Sequence, residues 1–206
     1  MFLTIIKNIS LFRKTTQLAD PDKDRGLLHS AIEQSLNPHQ GSKFLFRYDK
    51  RCRTLIICSE YRPSINYFDQ FFEVNKKDIT IIENYEDKLF NNIEQDKCYK
   101  FYLEANAITR NEKSNATFVK QENLNEWIDK RASDNGFVIL RNTPRERYGF
   151  PPTKTVYGKK GVPIYTADFK GTLKITDIEK FKKALITGIG RSKTYGCGLL
   201  WIENKQ

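Results

Sequence analysis

Hydrophobic residues change their spacing along this chain in a way that separates strands from helices. Over Met1 to Ser10, Phe2, Ile5, Ile6 and Ile9 are interspersed with polar positions, which predicts a strand. Asp20-Pro21-Asp22 then supplies a helix start, since Asp caps well and Pro suits a first turn. Leu27, Leu28, Ala31, Ile32 and Leu36 recur at helical spacing, so an amphipathic helix is predicted over about 22–36, stopped by Asn37-Pro38. The stretches Phe44 to Tyr48 and Thr54 to Cys58 predict two strands joined by a charged turn, Asp49 to Arg53. Behind Pro63, Ser64 to Glu73 predicts a short helix, and Ile79 to Ile82 a further strand.

The second half repeats the order without a demonstrable sequence repeat. Cys98 to Asn106 alternates like a strand, and Glu122 to Ser133 carries Leu124, Trp127 and Ile128 on one helical stripe that ends at Asn135-Gly136. Phe137 to Leu140 predicts a strand and Pro163 to Ile175 a long one. Asp177 to Ile186 predicts a helix capped by Thr176 or Asp177, and Leu199 to Ile202 closes the series. The order β-α-β-β-α-β, met twice, predicts an α+β protein of two tandem ferredoxin-like (RRM-like) domains, 1–95 and 96–206.

Composition adds a partner class. Of 206 residues, 39% are hydrophobic and 13% aromatic, enough for real cores rather than a disordered chain. Lys and Arg outnumber Asp and Glu by 35 to 25, a net charge of +10 that favours a polyanion, most often nucleic acid. The four cysteines form no C-x-x-C pair and there are two histidines, His29 and His39, so neither a zinc site of ordinary spacing nor a disulfide framework is expected. Four buried free thiols in a reducing cytoplasm are the simplest account. The N-terminal apolar run has no cleavage site and no stretch approaches the ~20 apolar residues of a membrane span, so a soluble cytoplasmic protein with no membrane partner is expected.

Gly188 to Gly198 holds four glycines (Gly188, Gly190, Gly196 and Gly198) with Arg191, Ser192 and Lys193 among them. Glycines let backbone N–H groups approach phosphates and cations neutralise them, though a helix C-cap and tight turn would use the same residues. The loop follows a helix and precedes a strand, opposite to a dinucleotide fingerprint, and it lacks P-loop spacing. Arg145, Arg147, Tyr148, Lys154, Lys159 and Lys160 form a second basic segment, read either as a solvated loop or as a nucleic-acid contact in which Tyr148 or Phe150 stacks on a base.

The glycine loop resembles the signature loop of the RAMP superfamily, and within it the chain resembles the CasE-type precursor-CRISPR-RNA endoribonucleases of the Cascade complex. Gly26-Leu-Leu-His29, Glu33-Gln-Ser35, Phe44 to Arg47, Leu103 to Asn106 and Phe169 to Leu173 extend the resemblance along the chain. It implies binding of a CRISPR repeat RNA hairpin through the basic hairpin and glycine loop. It further implies cleavage 3′ of that hairpin by the neighbouring 2′-OH, with no metal and no cofactor. The product is then kept inside Cascade, against other subunits, especially the one forming its crRNA-binding backbone, with target DNA met only indirectly.

Such a reaction needs a proton acceptor, a proton donor and cations for the phosphorane. His29, four residues after Arg25, is the candidate acid or base, against the reading of a half-packed surface histidine. Where relatives carry a catalytic His, two residues before Gly26, this chain has Asp24, and where they often carry a Tyr it has Pro21 and Asp22. The catalytic candidates are therefore His29, Arg25 and Asp24, with Arg25, Lys23 and Lys193 open as the transition-state cation. The alternative is a weak or inactive hairpin-binding subunit. A third reading, an unrelated single-strand binder, needs Tyr99 and Phe101 exposed on a sheet.

Overall fold

The computed structural model describes residues 1–9, 25–36, 41–110, 116–142, 148–150 and 164–203. They divide into two compact units, one built on Met1–Leu89 with Thr194–Gly196, the other on Phe90–Gly149, Ile164–Lys193 and the residues from Cys197 onward.

The first unit runs β1 (Phe2–Ile6), α1 (Arg25–Ser35), β2 (Phe44–Asp49), β3 (Thr54–Ser59), α2 (Ile65–Phe71), β4 (Ile79–Ile82) and α3 (Tyr85–Phe90). Its sheet has the order β2-β3-β1-β4, with every pair antiparallel. Period-2 alternation sends Ile6, Phe46, Tyr48, Leu55 and Ile57 to one face. There they meet Leu28, Ala31 and Ile32 of α1 and Phe68 of α2 in a single core. Each of the larger side chains contributes roughly 1.5–3 kcal/mol by leaving water. The helical stripe read from the sequence is thus the face that α1 buries.

In the second unit the elements are β5 (Cys98–Ala105), β6 (Ile108–Arg110), β7 (Ala116–Phe118), α4 (Leu124–Asp134), β8 (Phe137–Asn142), β9 (Tyr148–Phe150), β10 (Ile164–Ile175), α5 (Ile178–Thr187) and β11 (Leu200–Glu203). The sheet order β11-β5-β10-β8, again antiparallel, is the same topology as the first, with β9 added on β10. Both units are therefore ferredoxin-like, as the element order predicts. Asp177, rather than Thr176, caps α5, its side chain accepting from the Lys180 N–H at 3.1 Å.

Three features depart from the expectations. The sequence pattern did not indicate the hairpin of β6 and β7 or the short helix α3. Tyr99 and Phe101 are 6% and 4% exposed, because odd positions of β5 face the helices, so they offer no stacking platform. Cys52 is exposed while Cys58 and Cys197 are buried, and none of the four cysteines is paired. Burial pushes the Cys58 thiol up to about 12. Among the described residues no helix is long and apolar enough to cross a membrane.

Candidate catalytic helix and glycine loop

Helix α1 opens with Arg25 and presents His29 one turn later. His29 sits at the edge of the buried stripe, half-buried, where Phe44 and Phe46 of β2 project towards it. Its ring stacks on Phe44 with centroids 4.9 Å apart and lies 6.5 Å from Phe46. Burial against these rings lowers the imidazole pKa below its ordinary value, and the Glu33 carboxylate one turn on raises it only in part. His29 is accordingly neutral at pH 7 and able to accept a proton. Its Nδ1 is buried with no hydrogen-bond partner among the described residues.

Arg25 is 2% exposed, and its Nη1 donates to the Tyr195 carbonyl at 3.4 Å. This contact seats the turn Thr194–Gly196 on the start of α1. Gly196 has φ +79°, and a Cβ there would lie 2.9 Å from Phe46 Cε2 and 3.1 Å from Arg25 Nη1. The glycine is thus required twice, by its backbone conformation and by the close approach of the turn to β2.

The rest of the loop belongs to the second unit. Helix α5 ends at Gly188, whose N–H donates to the Ala184 carbonyl. Ile189 N–H donates to the Gly198 carbonyl at 2.8 Å, and Gly198 N–H to the Glu104 carbonyl at 2.7 Å, closing the neck of the loop on the end of β5. Asn106 bridges Arg191 and donates from Nδ2 to Ser192 Oγ at 2.7 Å. Ile189, Cys197 and Leu199 are buried, Arg191 is exposed and Lys193 is half-exposed. The loop is therefore a helix cap and a tight turn, and at the same time it turns cations towards solvent.

Of the residues singled out in the sequence, Arg25 and His29 share α1, while Gly188, Gly190, Arg191, Ser192, Lys193, Gly196 and Gly198 share the loop. Tyr148 begins β9. Lys23, Asp24, His39, Arg145, Arg147, Lys154, Lys159 and Lys160 lie outside the described residues. Among the described residues no cluster of three His, Cys, Asp or Glu side chains suits a metal ion. Trp127 belongs to the apolar stripe of α4, and no sequence motif marks Arg131, whose guanidinium carbon sits 5.6 Å from the Trp127 ring centroid. The i,i+4 spacing of the two was the available signal.

Two ferredoxin-like units and a glycine loop with one turn on α1 define a tandem RRM-like architecture with a basic, glycine-rich closing segment. A model of the CRISPR-associated protein family matches residues 1–204, and the chain belongs to that family. No curated protein matches the sequence. Among solved structures, Thermus thermophilus Cse3 bound to an RNA representing a pre-cleavage complex superposes with a TM-score of 0.75 at 15% identity, covering 98% of each chain. Cas6e from Escherichia coli str. K-12 gives 0.66 at 22% identity over 98% of each chain. A chain of a CRISPR RNA-guided surveillance complex gives 0.65 at 19% identity over 100% of each. At these identities the likeness is one of fold, and it spans both units.

Proposed function

We propose that this chain is a CRISPR RNA-processing endoribonuclease of the CasE type. It binds the repeat hairpin of precursor crRNA, cleaves 3′ of it without a metal, and stays bound as a Cascade subunit in the cytoplasm. Family membership and the full-length likeness to an RNA-bound Cse3 support the class. The observation that carries the reading is the seat of the Thr194–Gly196 turn on Arg25, one helical turn from a neutral, half-buried His29.

In this reading His29 accepts the proton of the 2′-OH beside the scissile phosphate. The oxygen attacks phosphorus, the bond to the 5′ oxygen breaks, and that oxygen takes a proton from solvent water as it leaves, giving a 2′,3′-cyclic phosphate and a 5′-OH. Arg25 is a positioning residue for the glycine turn and keeps a fixed positive charge beside it. Lys193, with Arg191 and the basic segment from Arg145 to Lys160, holds phosphates.

Incubating the purified protein with its repeat RNA in EDTA and mapping the ends tests this. A 2′,3′-cyclic product, absent for His29→Ala, is expected. Tight hairpin binding without product would support the alternative, a non-cutting structural subunit, which Asp24 in place of the usual histidine favours. No preference for the hairpin over random RNA would remove both.

A further inference from the structure

Beside the glycine loop the second unit contains a cleft of about 240 Å³, lined by Asn106, Thr109, Trp127, Arg131, Gly190 and Arg191. Trp127 is fixed in it by an Nε1–H donation to the Ile108 carbonyl at 3.1 Å and by stacking on Phe169 at 5.8 Å. The Arg131 guanidinium lies over that ring and its side chain remains 40% exposed. Its Asp134 partner, 3.6 Å away, is itself half-exposed, so the pair holds it weakly. Among the described residues no carboxylate lines the cleft, and two arginines do.

The cleft is smaller than the ~300–1,000 Å³ of a drug-sized ligand pocket, so it admits one planar group and no duplex. A larger groove of about 450 Å³ shares Trp127 and Thr109, but its rim carries both signs, Lys120 and Lys130 against Glu122 and Glu126. The arginine-lined cleft is therefore the anion-selective part. Gly190 keeps it open: a Cβ there would point to Trp127 Cη2 at 3.8 Å, and any longer side chain would grow into the space.

We propose that this cleft seats one unpaired nucleotide of the bound RNA, its base lying against the Arg131 guanidinium and its phosphate held by Arg191. Guanidinium planes stack on unstacked bases, and arginine pairs well with phosphate. The inference rests on the RNA-binding reading above and adds a single-strand site to it.

The test uses the full chain with Trp201→Phe, which leaves Trp127 as the sole tryptophan. Hexaadenylate RNA is expected to quench Trp127 fluorescence saturably. Arg131→Ala should raise the Kd roughly tenfold, while leaving affinity for a blunt-ended repeat hairpin unchanged. Gly190→Asn, a residue that tolerates positive φ, should weaken hexaadenylate as well; if it lowers the melting temperature, Arg131→Ala decides alone. Quenching that survives Arg131→Ala overturns the site. Hairpin binding without any quenching overturns the site and leaves the proposed function standing. Arginine-dependent hexaadenylate binding without hairpin binding does the reverse. Equal quenching by free AMP would reassign the cleft to a free nucleotide and overturn its role in RNA binding.

Discussion

Gly196 and Phe46 stand so close that a methyl group on the glycine would lie 2.9 Å from the ring edge, inside normal contact distance. Phe46 is fully buried among the α1 and β3 side chains and has no room to retreat. Gly196→Ala should therefore cost on the order of 2–3 kcal/mol, combining overpacking with a strained positive φ. Gly190→Ala shares the positive φ but meets only an ordinary contact, and should cost about 1 kcal/mol. Urea unfolding of the two variants checks this; equal losses would show that Phe46 contributes nothing.

His29→Ala should slow cleavage of the repeat RNA by about 10²–10⁴-fold, the ordinary contribution of a positioned acid or base. Hairpin affinity should hold within a few-fold. Because burial lowers the imidazole pKa of the free protein, the ascending limb of kcat/KM should have its midpoint below 6.5. A midpoint above 6.5, or an unchanged rate in the variant, would exclude His29 as the base.

The same shift makes stability depend on pH. The folded pKa of His29 lies below its unfolded value, so between the two the unfolded chain binds more protons. Its contribution is fully present above 6.5 and is lost as the pH falls through the lower, folded value. Urea midpoints measured down that window should decline less steeply for His29→Gln than for the parent. Phe44→Ala, which strips the stacked ring from the imidazole, should move the His29 pKa upward in an NMR titration.

Arg191 and Lys193 face solvent from a loop otherwise anchored by buried residues. If each neutralises one phosphate, Arg191→Ala and Lys193→Ala should each reduce the slope of log K against log salt by about 1. An unchanged slope in the double variant, measured by filter binding of the hairpin across salt, would remove both from the RNA contact.

What the sequence discloses follows from how local each feature is. The α1 stripe and the alternation in β5 are set by spacings of two to four residues and appear where the pattern puts them, and the cap of α5 falls on one of the two residues it offered, Asp177. Strands β6 and β7 have three residues each, and α3 has six with no buried face, so neither leaves a periodic trace. Arg25 and His29 were legible as candidates by their shared helix. The stacking of His29 on Phe44 was not, because it depends on how β2 docks against α1. Nor was the donation from Arg25 to Tyr195, whose partners are 170 positions apart.

That last contact has a consequence for the order in which the protein can be made. The first compact unit includes Thr194–Gly196, so Met1–Leu89 leaves the ribosome with a piece of its own structure still untranslated. At ~5–20 residues per second the delay is on the order of ten seconds. Throughout it, the buried guanidinium of Arg25 lacks the Tyr195 carbonyl and the ring of Phe46 lacks the turn that covers it. The first unit to be synthesised thus waits for all but the last few residues of the chain before it is complete, and nascent chains stalled before Thr194 should expose this end of α1 to proteases and chaperones.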